Sequence, residues 1–574
     1  MDVISPSDFV TSCIQEAKSN FTVHIRFPNV KEEIASCMSS ILPSPLSQEE
    51  TLLFHSGLPS GPPLIARTGV PWKQPCRGPW AYPHERKLQV VGKHPIAVPG
   101  LWRNQVGPKI LDVLDDCKVK WHTIDVARIA YEDDEDDNSD APPTIWIAVE
   151  PGTLSGKEGN AVAHQCQEVL NSFGLNEVEI CLRGSKYYRE AISDFETPHF
   201  FFDPTKLRMP LTSAVGFPIS TNICPTVEGS LGLFFINGSN TSTVYFLTTR
   251  HVAIPQTTHE NNKLYEHNQS LPRHDVTAFG EDHLKAIRIH IGEVGMLVKY
   301  HQCRINRSEG RETVEEREEG QAEIRRMHYT LEKLEKFHDY YYRFWHSTQG
   351  RTIGSVILSP PITFSVGDGQ YTEDWAIGQV DANKIDVDSF CANTLDLGFD
   401  FTSVKLKSLM NPTSEEPRSF KHPVDRLLQI CGIVSDAEIR NPSDKDKNGD
   451  PCITVLERGK KTGLTVGRVN NVDSFVRTYW NDGTVNTSIE LPVFSHESKT
   501  WSKRSNRSKS FSEPGDSGSV VVDGKGRVIG MVVGGVGFST LSDITYVTPA
   551  EFLFDRIRSH GINPNIDFTL KATA

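Results

Sequence analysis

No stretch of this 574-residue chain approaches the roughly 20 consecutive apolar residues that a bilayer-spanning helix needs. The opening MDVISPSDFVTSCIQEAKSN lacks a charged segment followed by an apolar core, so no secretory leader is expected. The 11 cysteines are scattered singly, an odd number with no C-x-x-C pair and no framework spacing. That usage predicts free thiols in a reducing compartment, cytoplasm or nucleus. Glycosylation triplets such as Asn237-Gly238-Ser239 are then idle. Basic residues are outnumbered, 60 against 73, for a formal net charge of -13. Without a broad basic surface to neutralise phosphates, neither nucleic acid nor membrane is an expected partner. No His/Cys cluster has zinc spacing and no glycine loop suits a phosphate, so no metal or cofactor is expected.

What is present suits a globular protein of two to four domains: 37% hydrophobic and 23% charged residues. Residues 1–99 read as an irregular Pro-rich segment, with Pro and Gly punctuating 43–100. Residues 100–200 read as a small α+β domain of unassigned role. In it VKWHTIDVARIAY and TIWIAVEP are strands, KEGNAVAHQCQEVLNSFG is an amphipathic helix, and an acidic run at 132–140 is a solvated loop.

From about 205 to 565 the pattern is all-β, with many short strands between turn residues, as in a sandwich or barrel. GLFFI and TVYFLTTRHV flank the turn dipeptide Asn237-Gly238. An insertion at about 259–350 carries Ile324, Met327, Leu331, Leu334, Tyr341 and Phe344 at three- and four-residue steps. This predicts an amphipathic helix over 311–345, which packs on its own protein or receives a protein partner. PAEFLFDRIRSHG closes the region as a helix, with Pro at its start and Gly at its end.

Three segments carry chemistry. FLTTRHVA places His251 directly after a strand, and YTEDWAIGQVD opens an apolar strand at Asp374. EPGDSGSVVVDGKGRVIGMVVGG sets Ser517 in a glycine-rich turn leading into a hairpin. A serine hydroxyl needs a base to take its proton during attack, and imidazole titrates in the right range. A buried carboxylate then fixes the imidazole tautomer and stabilises the imidazolium. Gly515 allows a turn in which the N–H groups of Gly515 and Ser517 converge as an oxyanion hole.

TTRHV, EDWAI and GDSGSVVV, in that order, resemble the His, Asp and Ser motifs of trypsin-like, chymotrypsin-fold serine proteases. KTGLTVGRV at 461–469 is similar to the strand before the nucleophile loop in bacterial, viral and HtrA-like members. The whole 205–565 region resembles a group of intracellular fungal proteins bearing this domain. The resemblance implies a mainly β fold: a double six-stranded β-barrel with a helical insertion, preceded by the α+β domain. It also implies a pocket walled by Phe511, Ser512, Val533, Gly534 and Gly535, with no acidic residue at its base and so no preference for Arg or Lys.

The departures are informative. No cysteine flanks His251, and no IVGG-type activation site precedes the domain, so Asp516 does not await a new N-terminus. The expected function is a cofactor-independent serine endopeptidase acting on protein or peptide. The alternatives left open are a catalytically silent protease-fold interaction module and an esterase using the same triad.

Two other signals fall away. Asp444 to Gly449 imitates the start of a calcium loop, but Val455 stands where a bidentate Glu is needed. Ser519 breaks the G-x-S-x-G of a hydrolase elbow. The basic residues Lys499, Lys503, Arg504, Arg507 and Lys509 ahead of Ser517 read as a solvated loop, or as a draw for acidic substrates or a nuclear address.

Overall fold

The computed structural model describes residues 46–131, 141–189, 214–278, 347–411, 420–496 and 509–570, apart from a few positions inside those spans. The acidic run at 132–140, the helix expected over 311–345 and nearly all of the basic cluster lie outside the described residues. The architecture is mainly β, built on a 13-stranded and a nine-stranded sheet.

The N-terminal part begins at α1 (Gln48–Leu53), capped by Ser47, whose side chain accepts from the N–H of Glu50. It continues through β1 (Leu64–Arg67), β2 (Arg86–Gln89), α2 (Gly107–Asp116), β3 (Trp121–Tyr131) and β4 (Pro143–Val149). Then come α3 (Gly156–Ser172), β5 (Glu179–Gly184) and the short β6 (Lys186–Tyr188). The Pro- and Gly-rich stretch before residue 100 therefore contributes β1 to the pairing with β5 and β2 to the pairing with β3. Such short strands are specified by partners far along the chain, which local composition does not reveal.

Ser155 and Glu158 close a capping box at the start of α3. The helix buries Val162, Ala163, Cys166 and Leu170 at three- and four-residue steps. All seven residues of β4 are buried, because both faces of this sheet are covered. Ile145, Ile147 and Val149 share a core with α2 and α3, whereas Trp146 and Ala148 join Val533, Val536, Ile544 and Tyr546 on the other face. The period-2 alternation thus feeds two different cores from one strand.

The nine-stranded sheet contains β7 (Pro218–Thr221), β8 (Glu228–Ser230), β9 (Phe234–Asn237) and β10 (Asn240–Thr248), followed by α4 (Arg250–Ala253). To these it adds β11 (Asp275–Ala278), β12 (Thr352–Ser359) and β13 (Ala376–Val380). The C-terminal strands are β14 (Ile453–Gly459), β15 (Gly463–Val469), β16 (Ser474–Tyr479), β17 (Val485–Ser495), β18 (Val520–Asp523), β19 (Val528–Gly537) and β20 (Ile544–Pro549). A final helix, α5 (Ala550–Ser559), leads to β21 (Pro564–Asn565), which pairs back onto β9.

Pairing runs from β14 to β15, β17, β20, β19 and β18, and β18 pairs with β14. The N-terminal sheet joins this set through β16, where Phe475 faces Ile124 and Val476 faces Thr123. One hydrogen-bonded sheet therefore crosses the boundary near residue 200. Cys166, Cys181 and Cys452 are buried free thiols, each pushed up to about 12 chiefly by burial. No helix among the described residues is long and apolar enough to cross a membrane.

Candidate active site

The strand β10 ends at Thr248, and the chain turns at once into the single helical turn α4 that holds His251. Arg250 anchors this turn. Its guanidinium donates to Ser359 O at 2.9 Å and to Lys263 O at 2.6 Å. Ser359 Oγ in turn donates to Trp375 O at 2.9 Å, which ties the histidine turn to the segment holding Asp374. On the far side, Glu373 receives the Arg556 guanidinium of α5 at 2.9 and 3.0 Å.

Within this frame His251 Nδ1 lies 2.7 Å from Asp374 Oδ2, and the His251 backbone N–H donates to Oδ1 at 3.2 Å. Burial by itself would raise the Asp374 carboxyl. The His251 ring and its hydrogen bonds, with Arg189, instead bring it down to about 2. The carboxylate is therefore ionised and oriented toward Nδ1. His251 Nε2 is buried and has no hydrogen-bond partner among the described residues.

Ser517 sits in a turn that demands glycine on both sides. Gly515 has φ +109° and Gly518 φ +94°, a region that L side chains rarely adopt. Asp516 is buried beneath the turn. Its carboxylate accepts from the N–H groups of Glu513 and Lys461 and from the Thr462 hydroxyl. Ser519 Oγ lies 2.6 Å from Glu457 Oε1, and burial together with Asp516 pushes the Glu457 carboxyl well above its usual range. The N–H groups of Asp516, Gly518 and Ser519 are committed to Glu513, Val532 and Asp516 carbonyls. Those of Gly515 and Ser517 take no backbone acceptor among the described residues, as donors for an oxyanion must.

The strand β8 joins the two halves. Ser230 N–H donates to Ser517 O at 2.9 Å, while Thr248 Oγ1 donates to Ser230 O at 2.9 Å. A Cβ on Gly229 would meet Val252, next to His251, at 2.4 Å and Ser517 O at 2.9 Å. The serine turn and the histidine turn are thus packed through β8 into one buried locale. Serine and histidine lie 266 positions apart in the chain, yet both depend on this one short strand.

The expected pocket residues separate. Ser512 Oγ lies 2.6 Å from Thr545 Oγ1, and Gly535, which pairs with Thr545, packs against Ser542. Phe511 turns inward and shares a core with Val455, Val493 and Val521, its ring filling the space beside Gly467. Val533 faces Trp146 and Tyr546 in the core shared with the N-terminal part. Gly534 lies under Tyr187 and Tyr188 of β6.

Sequence reasoning did not reach β8, Glu457 or Arg189. The last is nine-tenths buried, with Nε 3.6 Å from Asp374 Oδ2. No motif marks these residues. Thr462, by contrast, lies within a recognised pattern, the KTG that leads into β15.

No protein-family model and no curated protein matches the chain. Among solved structures, one similar chain is a glutamic-acid-specific serine protease described as using a histidine triad in substrate binding. The likeness is 12% identity and a TM-score of 0.27, over 62% of this chain and 99% of that one. A score that low assigns neither family nor activity.

Proposed function

We propose that the chain is a serine endopeptidase in which Ser517 is the nucleophile, His251 the base and Asp374 its orienting carboxylate. The observation that carries this reading is the buried His251 Nδ1–Asp374 Oδ2 contact at 2.7 Å, with Nε2 left unbonded in the locale that holds the Ser517 turn. Nε2 would take the Ser517 proton as Oγ attacks a peptide carbonyl, then return it to the leaving amine. The carbonyl oxygen, as it becomes negative, would be met by the N–H groups of Gly515 and Ser517. Water would then hydrolyse the acyl-enzyme by the same base.

The cyclic pairing of six C-terminal strands supports one six-stranded barrel of a trypsin-like pair, with the site between it and the nine-stranded sheet. Ser512 and Thr545 would line the pocket for the side chain preceding the cleaved bond. The absent Ser517–His251 hydrogen bond is compatible with catalysis, since such contacts are often formed only in the substrate complex. It is also what favours the second reading, a silent module whose cleft binds without cleaving.

Fluorophosphonate labelling of the full chain separates the two. Wild type should label and Ser517→Ala should not. A folded wild type that stays unlabelled would leave only the binding module standing.

A further inference from the structure

The edge of β19 beside the nucleophile is already occupied. On one side its last residues pair with β20, Gly535 with Thr545 and Val536 with Ile544. On the other they pair antiparallel with β6: Gly535 with Tyr188, Val536 with Tyr187 and Gly537 with Lys186. Such an edge is where an extended peptide adds itself as a further strand. Val532, three residues before Gly535, exchanges backbone hydrogen bonds at 2.9 Å with Gly518 and Ser519. At about 3.3 Å per residue, the β6 contact therefore begins about 10 Å along the strand from the Ser517 turn.

The side chains of this segment fit the site as closely as its backbone does. Gly534 leaves a gap in which a Cβ would stand 2.6 Å from Tyr188 O and 2.7 Å from the Tyr187 ring. Tyr187 packs edge-on against Tyr546, centroids 5.8 Å apart. Arg189 follows directly and reaches the triad carboxylate, Nε to Asp374 Oδ2 3.6 Å, with its guanidinium 4.8 Å from the Phe364 ring. Burial of the guanidinium is offset by the Tyr187 hydroxyl and by charge with Asp374 and Glu490. The segment thus runs from the strand bearing Gly534 and Gly535 to the His–Asp pair. A second cation on Asp374 Oδ2 also opposes the positive charge that the imidazole takes up during attack.

We propose that Lys186–Arg189 is an intramolecular occupant of the peptide-binding edge, which blocks the site until a substrate displaces it. This rests on the serine-protease reading and extends it to self-restraint. It also describes the ligand that the edge accepts: an extended chain with an aromatic side chain over Gly534 and, two residues later, a basic one against Asp374.

The test is the rate of fluorophosphonate labelling of Ser517 in the full chain, for wild type, Arg189→Met and Tyr188→Pro. The first removes the charge with little loss of volume, and the second disrupts the edge pairing. Labelling at least 10-fold faster in either folded variant supports the occupant. Labelling less than 10-fold faster in both folded variants overturns it, and a rate below wild type in Arg189→Met makes Arg189 a residue that positions Asp374. Absence of labelling in all three folded proteins would instead overturn the protease reading itself, and the occupant with it.

Discussion

Thr462 holds Asp516 through a hydroxyl hydrogen bond of 2.9 Å, and the two residues are 54 positions apart. With the N–H groups of Lys461 and Glu513, it supplies the donors that a buried carboxylate beneath the Ser517 turn requires. Neighbouring backbone and hydroxyl groups thus supply the hydrogen bonds of the buried Asp516 carboxyl. Thr462→Val should therefore leave that carboxylate one donor short and cost about 1–3 kcal/mol. Thermal unfolding would register the loss, and Ser517 labelling should fall with it. An unchanged melting temperature would remove Thr462 from this role.

Glu457 makes stability pH-dependent with a definite sign. Its folded-state carboxyl is raised well above the usual 4.5 by burial and by Asp516. Below 4.5 both folded and unfolded chains hold the proton, and the contribution is complete. As pH rises from there toward the folded value, only the folded chain holds it, so stability is lost at up to about 1.4 kcal/mol per pH unit. Glu457→Gln is neutral throughout and should flatten the melting temperature between pH 5 and 8. Asp374, held at about 2, acts oppositely: its contribution is present above 3.8 and is lost as pH falls toward 2.

Gly515 and Gly518 should respond differently to alanine. At Gly515 the nearest atoms to a Cβ are 3.8 Å away, so the penalty is conformational only, about 1–3 kcal/mol for φ +109°. The protein should fold while the two N–H groups lose their alignment, with labelling down about 100-fold or more. At Gly518 a Cβ would also stand 2.3 Å from Ser230 O. That variant should fail on stability, read as a loss of soluble folded protein.

Asp374→Asn keeps the shape of the carboxylate but takes away its charge. Given the ring-to-carboxylate contact of 2.7 Å, peptide hydrolysis should drop by about 10⁴ if the triad works as proposed. Combining it with His251→Ala should add little, because residues acting as one unit are not additive. Additive losses in steady-state kinetics would mean that the two act separately.

Trp146 tests whether the two parts of the chain form one unit. It is fully buried, with the Arg183 guanidinium over its ring, and it packs with Val533 and Tyr546 of the C-terminal strands. Trp146→Ala should cost about 3–5 kcal/mol. Because one sheet passes through β3 and β16, calorimetry should show the described core melting in one transition. Two transitions, with only the first shifted by Trp146→Ala, would separate the parts.

Local chemistry was legible where a residue type answers to its own neighbours. The strand before His251, the glycines around Ser517 and the helical steps of α3 each follow from steric and periodic rules within a dozen residues. The His251–Asp374 contact was readable too, as the meeting of two motifs in an expected order. Phe511 was not: its position before the turn reads as a pocket wall, yet the vacancy beside Gly467 draws the ring into the core.

By itself, then, the sequence determined a mainly β chain, the residue types of a candidate triad and a turn around Ser517 that only glycine permits. The tertiary structure alone decided that β8 joins the two turns and that Thr462 satisfies Asp516. It alone decided too that β6 lies on the edge beside Ser517 with Arg189 against Asp374. The reason is physical. Backbone pairing between distant strands carries no local signature, since any extended segment offers the same donors and acceptors, and its partner is selected only when the whole chain is packed.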